Sequence, residues 1–286
     1  MAIGGKKLYL GNEPMTLIQN NGFILVDPFS YTPAPVLDPD AEAFLTAAGI
    51  TDPTITSSIN TLVVDLKAEG IYSKMQALYP FVGGTSSTCK WNLINPVDSD
   101  AAYRMTFPNG GTFSSNGFNT NGTNQYGNTN MLGTAIGASA QNFHISIYAK
   151  DLTAEGGFDF GCRNNTQWLA GNMRNTANQY NARAFNNNIS QSALDANTDT
   201  QGFYTISRQL TTSFIYGWNG SYLTGTESVT SAPAFNLVFG AYNDYGTIGL
   251  YQNRTYQTIT VGNGMGTTEL DAMQTILDDF QTNLGR

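Results

Sequence analysis

The sequence predicts a mainly β protein built as an antiparallel β-sandwich. Between residues 81 and 286, apolar and polar residues alternate in several short segments, as in strands that bury one face. Turn signals rich in Gly and Asn recur about every ten residues, a spacing typical of a sandwich or jelly roll. Charged residues make up 12% of the chain and 30 residues are Gly. This composition suits many tight turns, because Gly and Asn tolerate positive φ.

The first 38 residues are expected to form an anchor hairpin and a spacer. Residues 7–13 and 23–27 predict two strands, with Asn20-Asn21-Gly22 as the turn before the second. So small a hairpin needs a partner surface. The candidate anchor residues are Leu8, Tyr9, Leu10, Phe23, Ile24 and Leu25. Pro28, Pro33, Pro35 and Pro39 predict a stiff, extended spacer. The alternative is that the hairpin forms an edge of the main sandwich.

Residues 39–80 are expected to be a small helical segment. One helix covers 41–48 and ends at Gly49, and a second begins at Pro53 with Asp52 as its N-cap. The second helix carries an apolar stripe and ends at Gly70: Ile55, Ile59, Leu62, Val63 and Leu66. Ile71, Met75 and Leu78 suggest a third short helical stripe.

The remaining region, 81–286, is expected to form the sandwich. Phe143, Ile145, Ile147 and Ala149 alternate with His144, Ser146 and Tyr148. Other strands are predicted at 202–207, 213–216, 235–239 and 256–261, and the Asn219-Gly220 pair predicts a hairpin. The chain ends in an amphipathic helix capped by Thr267 or Thr268. Its apolar residues are Leu270, Met273, Ile276, Leu277, Phe280 and Leu284.

Part of this region resembles the laminin-G or concanavalin A-like superfamily. Ile215-Tyr216-Gly217-Trp218-Asn219-Gly220 is similar to that family's hairpin, and residues 236–240 are similar to its next strand. Residues 254–262, followed by 265–286, are similar to its last strand and closing helix. The resemblance covers roughly the last 150 residues and implies a concanavalin A-like jelly roll.

A second resemblance is to structural proteins of bacteriophage virions. Residues 43–52, 59–63 and 77–84 resemble a segment of such proteins, as do the later Asn92-Leu93-Ile94-Asn95-Pro96 and Ser114-Ser115-Asn116-Gly117. The opening Leu8-Tyr9-Leu10-Gly11 resembles the start of fibre and tail proteins. The resemblance implies a head or tail fibre subunit made in the host bacterial cytoplasm. Its N-terminus would dock onto capsid or tail proteins, and by analogy it would form a homotrimer.

The charge balance argues against two classes of partner. The net charge is −8 with 13 Lys and Arg, and no basic patch is visible. Binding to nucleic acid or to an anionic membrane is therefore not expected. No stretch is long and apolar enough for a signal peptide or a membrane span.

Catalytic chemistry is not expected either. A retaining glycosidase needs two carboxylates about 5–5.5 Å apart, and here Asp159 stands between two aromatic residues while Glu155 lies beyond a Gly-Gly turn. Asp159 is expected to point outward. The single histidine, His144, is expected at a surface or half-buried strand position.

No cofactor is expected. Asp98 and Asp100 form an acidic turn or a helix cap, with calcium binding as the alternative. Cys89 and Cys162 fit no metal or redox spacing and are expected to be buried free thiols.

Aromatic residues provide the best indication of binding. The candidate contact residues are Trp218, Tyr222, Tyr242, Asn243, Asp244 and Tyr245. They could contact a host-surface glycan, or they could serve packing or a subunit interface. The functional hypotheses are a virion structural protein, a carbohydrate-binding module and, less favoured, a glycan depolymerase.

Overall fold

The computed structural model describes residues 36–150, 156–185, 201–229 and 231–286, together with the backbone of the strands in 9–26 and 190–193. The chain divides into two compact units, Met1–Leu37 and Asp38–Arg286.

The first unit contains two antiparallel strand pairs. Strand β1 (Tyr9–Leu10) pairs with β2 (Glu13–Pro14), and β3 (Leu17–Asn20) pairs with β4 (Phe23–Val26). The prediction of a strand from Phe23 is confirmed, but its pairing with residues 7–13 is wrong. A two-residue connection joins β3 to β4, so the nearest segment becomes the partner. Leu8, Pro28, Pro33 and Pro35 lie outside the described residues.

The second unit begins with two helices whose ends follow the predicted caps. Helix α1 (Pro39–Ala48) ends at Gly49, where φ is 66°. Helix α2 (Pro53–Ala68) begins after Asp52, whose Oδ1 accepts a hydrogen bond from Ile55 N at 3.0 Å. Four residues of the apolar stripe of α2 are buried as predicted, namely Ile59, Leu62, Val63 and Leu66, and Ile55 is half-buried.

The predicted third helical stripe is wrong. Residues Met75–Tyr79 form strand β5, which is joined to α2 by one turn of 3₁₀-helix. Ala77 and Tyr79 point into the main core, while Leu78 is buried as well. A short apolar run buried on both faces has no clear period of two, so it resembles a helical stripe in sequence.

The fold class is confirmed: the unit is a sandwich of two β-sheets. Sheet I has the order β16-β15-β14-β9-β20-β7-β6, and β5 also pairs with β20. Its strands are β6 (Thr112–Ser114), β7 (Gly117–Asn119), β9 (Phe143–Lys150), β14 (Gly202–Arg208), β15 (Ser213–Trp218), β16 (Ser221–Thr226) and β20 (Thr255–Gly262). The predicted hairpin is confirmed between β15 and β16, with φ of 44° at Asn219 and 78° at Gly220.

Sheet II has the order β13-β12-β11-β10-β17-β8, and the short pair β18 and β19 extends it beside β10. Its strands are β8 (Gly127–Leu132), β10 (Phe160–Arg163), β11 (Trp168–Asn172), β12 (Gln179–Ala184), β13 (Ser190–Ala193), β17 (Asn236–Phe239), β18 (Tyr242–Asp244) and β19 (Thr247–Gly249). The described pairings are antiparallel except that of β10 with β18.

The main core lies between the two sheets. Sheet I contributes side chains such as Phe143, Ile145 and Ile259, and sheet II contributes Leu169 and Phe239. The prediction for the cysteines is confirmed, because Cys89 and Cys162 are buried free thiols. Burial raises the pKa of both thiols, that of Cys89 to about 11.

Helices cover the outer face of sheet I. Helix α4 (Thr267–Asn283) crosses it, with Gln281 Nε2 donating to Thr258 Oγ1 at 2.9 Å, and α2 packs on α4. The remaining helix, α3 (Ser86–Cys89), is a single turn that follows β5 in the chain. The expected surface or half-buried position of His144 is therefore wrong, because this side chain is fully buried. The predicted cap is also shifted, since Gly266 is the N-cap residue and Glu269 accepts its N–H at 3.0 Å. None of the described helices is long and apolar enough to cross a membrane.

Candidate functional site

The candidate site lies on the outer face of sheet II. Cys162, Leu169 and Ala182 point into the core from β10, β11 and β12. Since side chains alternate along a strand, Arg163, Trp168 and Arg183 project from the opposite face. Arg163 lies directly across from Trp168, and β12 brings Arg183 to the other side of β11.

The two arginines pack on the Trp168 ring. The guanidinium carbon of Arg163 lies 4.0 Å from the ring centroid, and that of Arg183 lies 4.1 Å from it. Both distances are within the range of cation–π attraction. Trp168 itself is partly exposed.

Two further aromatic rings continue this surface. The Tyr242 centroid is 5.6 Å from that of Trp168, and the Phe158 ring stacks on Tyr242 at 4.8 Å. The Tyr242 ring lies over Gly161, where an added Cβ would come within 2.5 Å of Tyr242 Cδ2. Glycine is therefore required at position 161 for the ring to lie against the sheet.

An ion pair and an exposed tyrosine complete the surface. Both carboxylate oxygens of Asp244 accept from the Arg163 guanidinium, with 2.5 Å between Nη2 and Oδ2. These hydrogen bonds raise the pKa of Arg163 above its ordinary value. Tyr245 is 41% exposed and donates its hydroxyl hydrogen to Asn165. We call this surface the platform: Phe158, Arg163, Trp168, Arg183, Tyr242, Asp244 and Tyr245.

The structure separates the predicted contact residues into two places. Tyr242, Asp244 and Tyr245 belong to the platform, whereas Trp218 and Tyr222 lie on strands of sheet I. Trp218 packs edge-on against Tyr180 at 6.3 Å.

Asn243 serves the local turn instead. It is 5% exposed, and its side chain bonds Asn236 O at 2.8 Å and Gly246 N at 2.9 Å.

Sequence reasoning missed Arg163, Trp168 and Arg183. The alternation of Gln179, Asn181 and Arg183 with buried Tyr180, Ala182 and Ala184 carries a signal for a strand with a polar outer face. The meeting of the three side chains depends on the registers of β10 and β12 with β11, which residue order alone does not specify.

Three other carboxylates considered from sequence are engaged in ion pairs. Asp98 pairs with Lys90 and Arg104, and Asp100 also pairs with Arg104. The expected outward position of Asp159 is wrong, because it is fully buried against Arg254. Glu155 lies outside the described residues. Among the described residues, no group of three or more His, Cys, Asp or Glu could hold a metal ion.

Comparison with known proteins finds distant likenesses in fold. No family model and no curated protein matches this chain. One similar structure is Domain 4 of AbnA, a GH43 extracellular arabinanase from Geobacillus stearothermophilus, in complex with arabinotriose; it is 12% identical to this chain. The alignment covers 70% of this chain and 98% of that chain, with a TM-score of 0.47. The CBM40 of a Ruminococcus gnavus IT-sialidase, bound to alpha2,3 sialyllactose, is 13% identical to this chain. The alignment covers 47% of this chain and 82% of the CBM40 chain, with a TM-score of 0.38. At these TM-scores the likenesses bear on neither the ligand nor the partners of this chain.

Proposed function

We propose that this β-sandwich protein binds carbohydrate and that the platform is its contact surface. The observation that carries the proposal is the grouping of Trp168, Tyr242 and Tyr245 with two guanidinium groups on one sheet face. Sugar rings present apolar C–H faces beside hydroxyl groups. An aromatic surface that carries a few oriented polar groups can therefore bind such a ligand.

The parts of the platform have different roles in this proposal. Because guanidinium groups cover the Trp168 ring, the exposed apolar contact comes from Tyr245 and from the rim of Trp168. A guanidinium packed on a ring keeps its N–H donors at its own periphery, where sugar hydroxyl groups can accept them. Asp244 orients Arg163 through two parallel hydrogen bonds.

The proposed activity is binding without bond cleavage. Hydrolysis with retention requires two carboxyl groups about 5–5.5 Å apart. On the platform as defined above, Asp244 is the one carboxylate, and it is held by Arg163. Asp159, another carboxylate considered from sequence, is fully buried in its own ion pair.

Replacing Trp168 by alanine is expected to weaken glycan binding about tenfold or more, because it removes the ring that organises both arginines. A glycan array would identify ligands of the wild-type chain, and calorimetry would compare dissociation constants. Trp91→Ala is the matched control, since Trp91 also carries a cation, Lys90 at 4.7 Å, but lies off the platform. If Trp218→Ala weakened binding and Trp168→Ala did not, the contact surface would be on sheet I instead.

We propose a second role, docking of the N-terminal unit onto a larger assembly such as a virion. The supporting observation is that residues 1–37 form a unit of their own with two short strand pairs. Isolated two-stranded pairs are marginally stable in water, so a partner surface would stabilise them.

Light scattering would test the assembly that accompanies this second role. We expect the full chain, 30.9 kDa per monomer, to form a trimer that persists when residues 1–37 are removed. Persistence would place the trimer contacts in Asp38–Arg286 and leave the N-terminal unit available for docking. A monomeric mass for both chains would contradict a fibre-like assembly.

A further inference from the structure

Two exposed residues of the β18–β19 hairpin have an unusual backbone conformation. Among the described residues, five residues other than Gly and Asn have a positive φ: Phe81, Tyr103, Phe185, Tyr245 and Leu250. Phe81 and Phe185 are buried in the core, and Tyr103 packs against it. Tyr245 and Leu250 are instead 41% and 56% exposed. Core packing therefore accounts for the first three conformations but not for these two.

Leu250 goes against two preferences at once. Its φ is 50°, in the left-handed region that Gly and Asn adopt more readily than leucine does. Its large apolar side chain also lies in water, where it lacks the stabilisation that burial provides. Unfavourable local choices of this kind are concentrated at functional sites.

Leu250 adjoins the platform at Phe158. The backbone N–H of Phe158 donates to Leu250 O at 2.9 Å, and the Phe158 ring stacks on Tyr242. Phe158 is half-buried, so part of this residue is accessible as well. The space beside Gly249 is open, because an added Cβ would meet no other part of the chain within 4 Å. The apolar surface of the platform therefore continues to Leu250.

Tyr245 and Leu250 lie at opposite ends of the hairpin. Tyr245 follows the last residue of β18, and Leu250 follows the last residue of β19. Three register pairs of β18 and β19 lie between these two ends. At about 3.4 Å per residue, the two ends are about 10 Å apart. A ligand that contacts both residues must therefore be longer than one sugar ring.

We propose that the platform binds a segment of an extended oligosaccharide, with Tyr245 contacting one end of the segment and Leu250 the other. This inference rests on the glycan binding proposed above and adds a requirement for chain length. The side chain of Leu250 packs on the apolar C–H face of a sugar ring beyond those held near Trp168 and Tyr245. A monosaccharide bound there does not reach Leu250.

The test measures affinity as a function of chain length. Linear oligosaccharides of the malto, cello and xylo series, and of any linear glycan that the array identifies, would be titrated into the full chain by calorimetry, from the monosaccharide to the hexasaccharide. The wild-type affinity is expected to rise with length until the ligand spans both ends of the hairpin. Leu250→Asn is expected to weaken binding of the hexasaccharide about tenfold, the order expected when a leucine contact is lost. Binding of the shortest bound ligand should not change.

Two further measurements separate a ligand contact from a role in folding. Asparagine tolerates the left-handed conformation, so the unfolding free energy of Leu250→Asn, measured in urea, should be no lower than that of the wild type. Leu210→Asn is the matched control, since Leu210 is 62% exposed in the turn between β14 and β15 of sheet I. This control should leave the affinity for every ligand of the series unchanged.

The outcomes separate this inference from the proposed function. If Leu250→Asn bound the hexasaccharide as the wild type does, while Trp168→Ala weakened it, the extended site would be overturned and glycan binding would stand. Equal weakening of the shortest and longest ligands, or a marked loss of unfolding free energy in Leu250→Asn, would likewise overturn the role of Leu250. Absence of binding to every glycan of the array would overturn both proposals.

Discussion

Replacing Asp159 by asparagine is expected to lower the free energy of unfolding by about 3–5 kcal/mol, because it removes the carboxylate charge that pairs with the buried Arg254 guanidinium. Both side chains are fully buried. A loss of this size is a large fraction of the stability of an ordinary domain, which is about 5–15 kcal/mol.

The geometry explains why this position is so sensitive. Asp159 Oδ1 accepts from Arg254 Nε at 2.8 Å and from the Tyr256 hydroxyl at 3.2 Å. Oδ2 accepts from Met173 N at 2.6 Å. The carboxylate thus connects β20 of sheet I to the start of β10 and the end of β11 in sheet II. Asparagine keeps one acceptor oxygen in place of two and carries no charge, so the hydrogen bonds to these buried donors are weakened together.

Urea denaturation of four chains would test this prediction: the wild type, Asp159→Asn, Arg254→Met and the double variant. We expect the double variant to lose less unfolding free energy than the two single variants lose together, because it removes both charges of the pair. Asp244→Asn is the control, since it breaks an Asp–Arg pair in which the carboxylate is 40% exposed and should cost about 1 kcal/mol or less. A loss for Asp159→Asn no greater than that of the control would contradict the prediction.

Acidification from pH 7 to pH 5 is expected to destabilise the fold by about 2 kcal/mol through His144 alone. Burial lowers the pKa of this imidazole from 6.5 to about 4. The unfolded chain therefore binds a proton at a higher pH than the folded chain does. The stabilising contribution of the neutral imidazole is fully present above pH 6.5. It is lost as the pH falls from 6.5 to the folded-state pKa of about 4, and it does not change further below that pH.

The surroundings of His144 support a neutral ring. The carbonyl of Asn263, 2.6 Å from Nδ1, can only accept, so Nδ1 carries the hydrogen and Nε2 accepts from the Thr260 hydroxyl at 3.2 Å. The nearby charges oppose each other: Lys74 lowers the pKa of His144, and Glu269 raises it.

Unfolding free energies measured at intervals between pH 7 and pH 5 would isolate this effect, because the chain has one histidine. His144→Gln is the matched variant, since glutamine can hydrogen-bond but does not titrate there. Its unfolding free energy should change little over this interval, whatever its absolute stability. A wild-type slope as flat as that of His144→Gln would contradict the buried neutral imidazole.

The sequence was sufficient for elements with strong local signals. Asp52 and Pro53 specified the start of α2, and Asn219-Gly220 specified the turn between β15 and β16. Alternation specified β9, and the mainly β sandwich followed from many such segments. These features depend on residues close together in the chain, whose capping, turn and periodicity preferences act locally.

The tertiary structure decided the position of residues whose burial depends on contacts with segments far away in the chain. Asp159 was predicted to point outward, but it is buried in an ion pair with Arg254. His144 was predicted at a surface or half-buried strand position, but it is fully buried because α4 covers its face of sheet I. The platform likewise requires the registers that bring Arg163 and Arg183 to Trp168. The sequence by itself determined those strands and helices that have strong local signals, whereas the short apolar run Met75–Tyr79 became a strand only through its pairing with β20. Packing between segments far apart in the chain decided which sheet faces are buried in the core, which are covered by helices and which form the proposed binding surface.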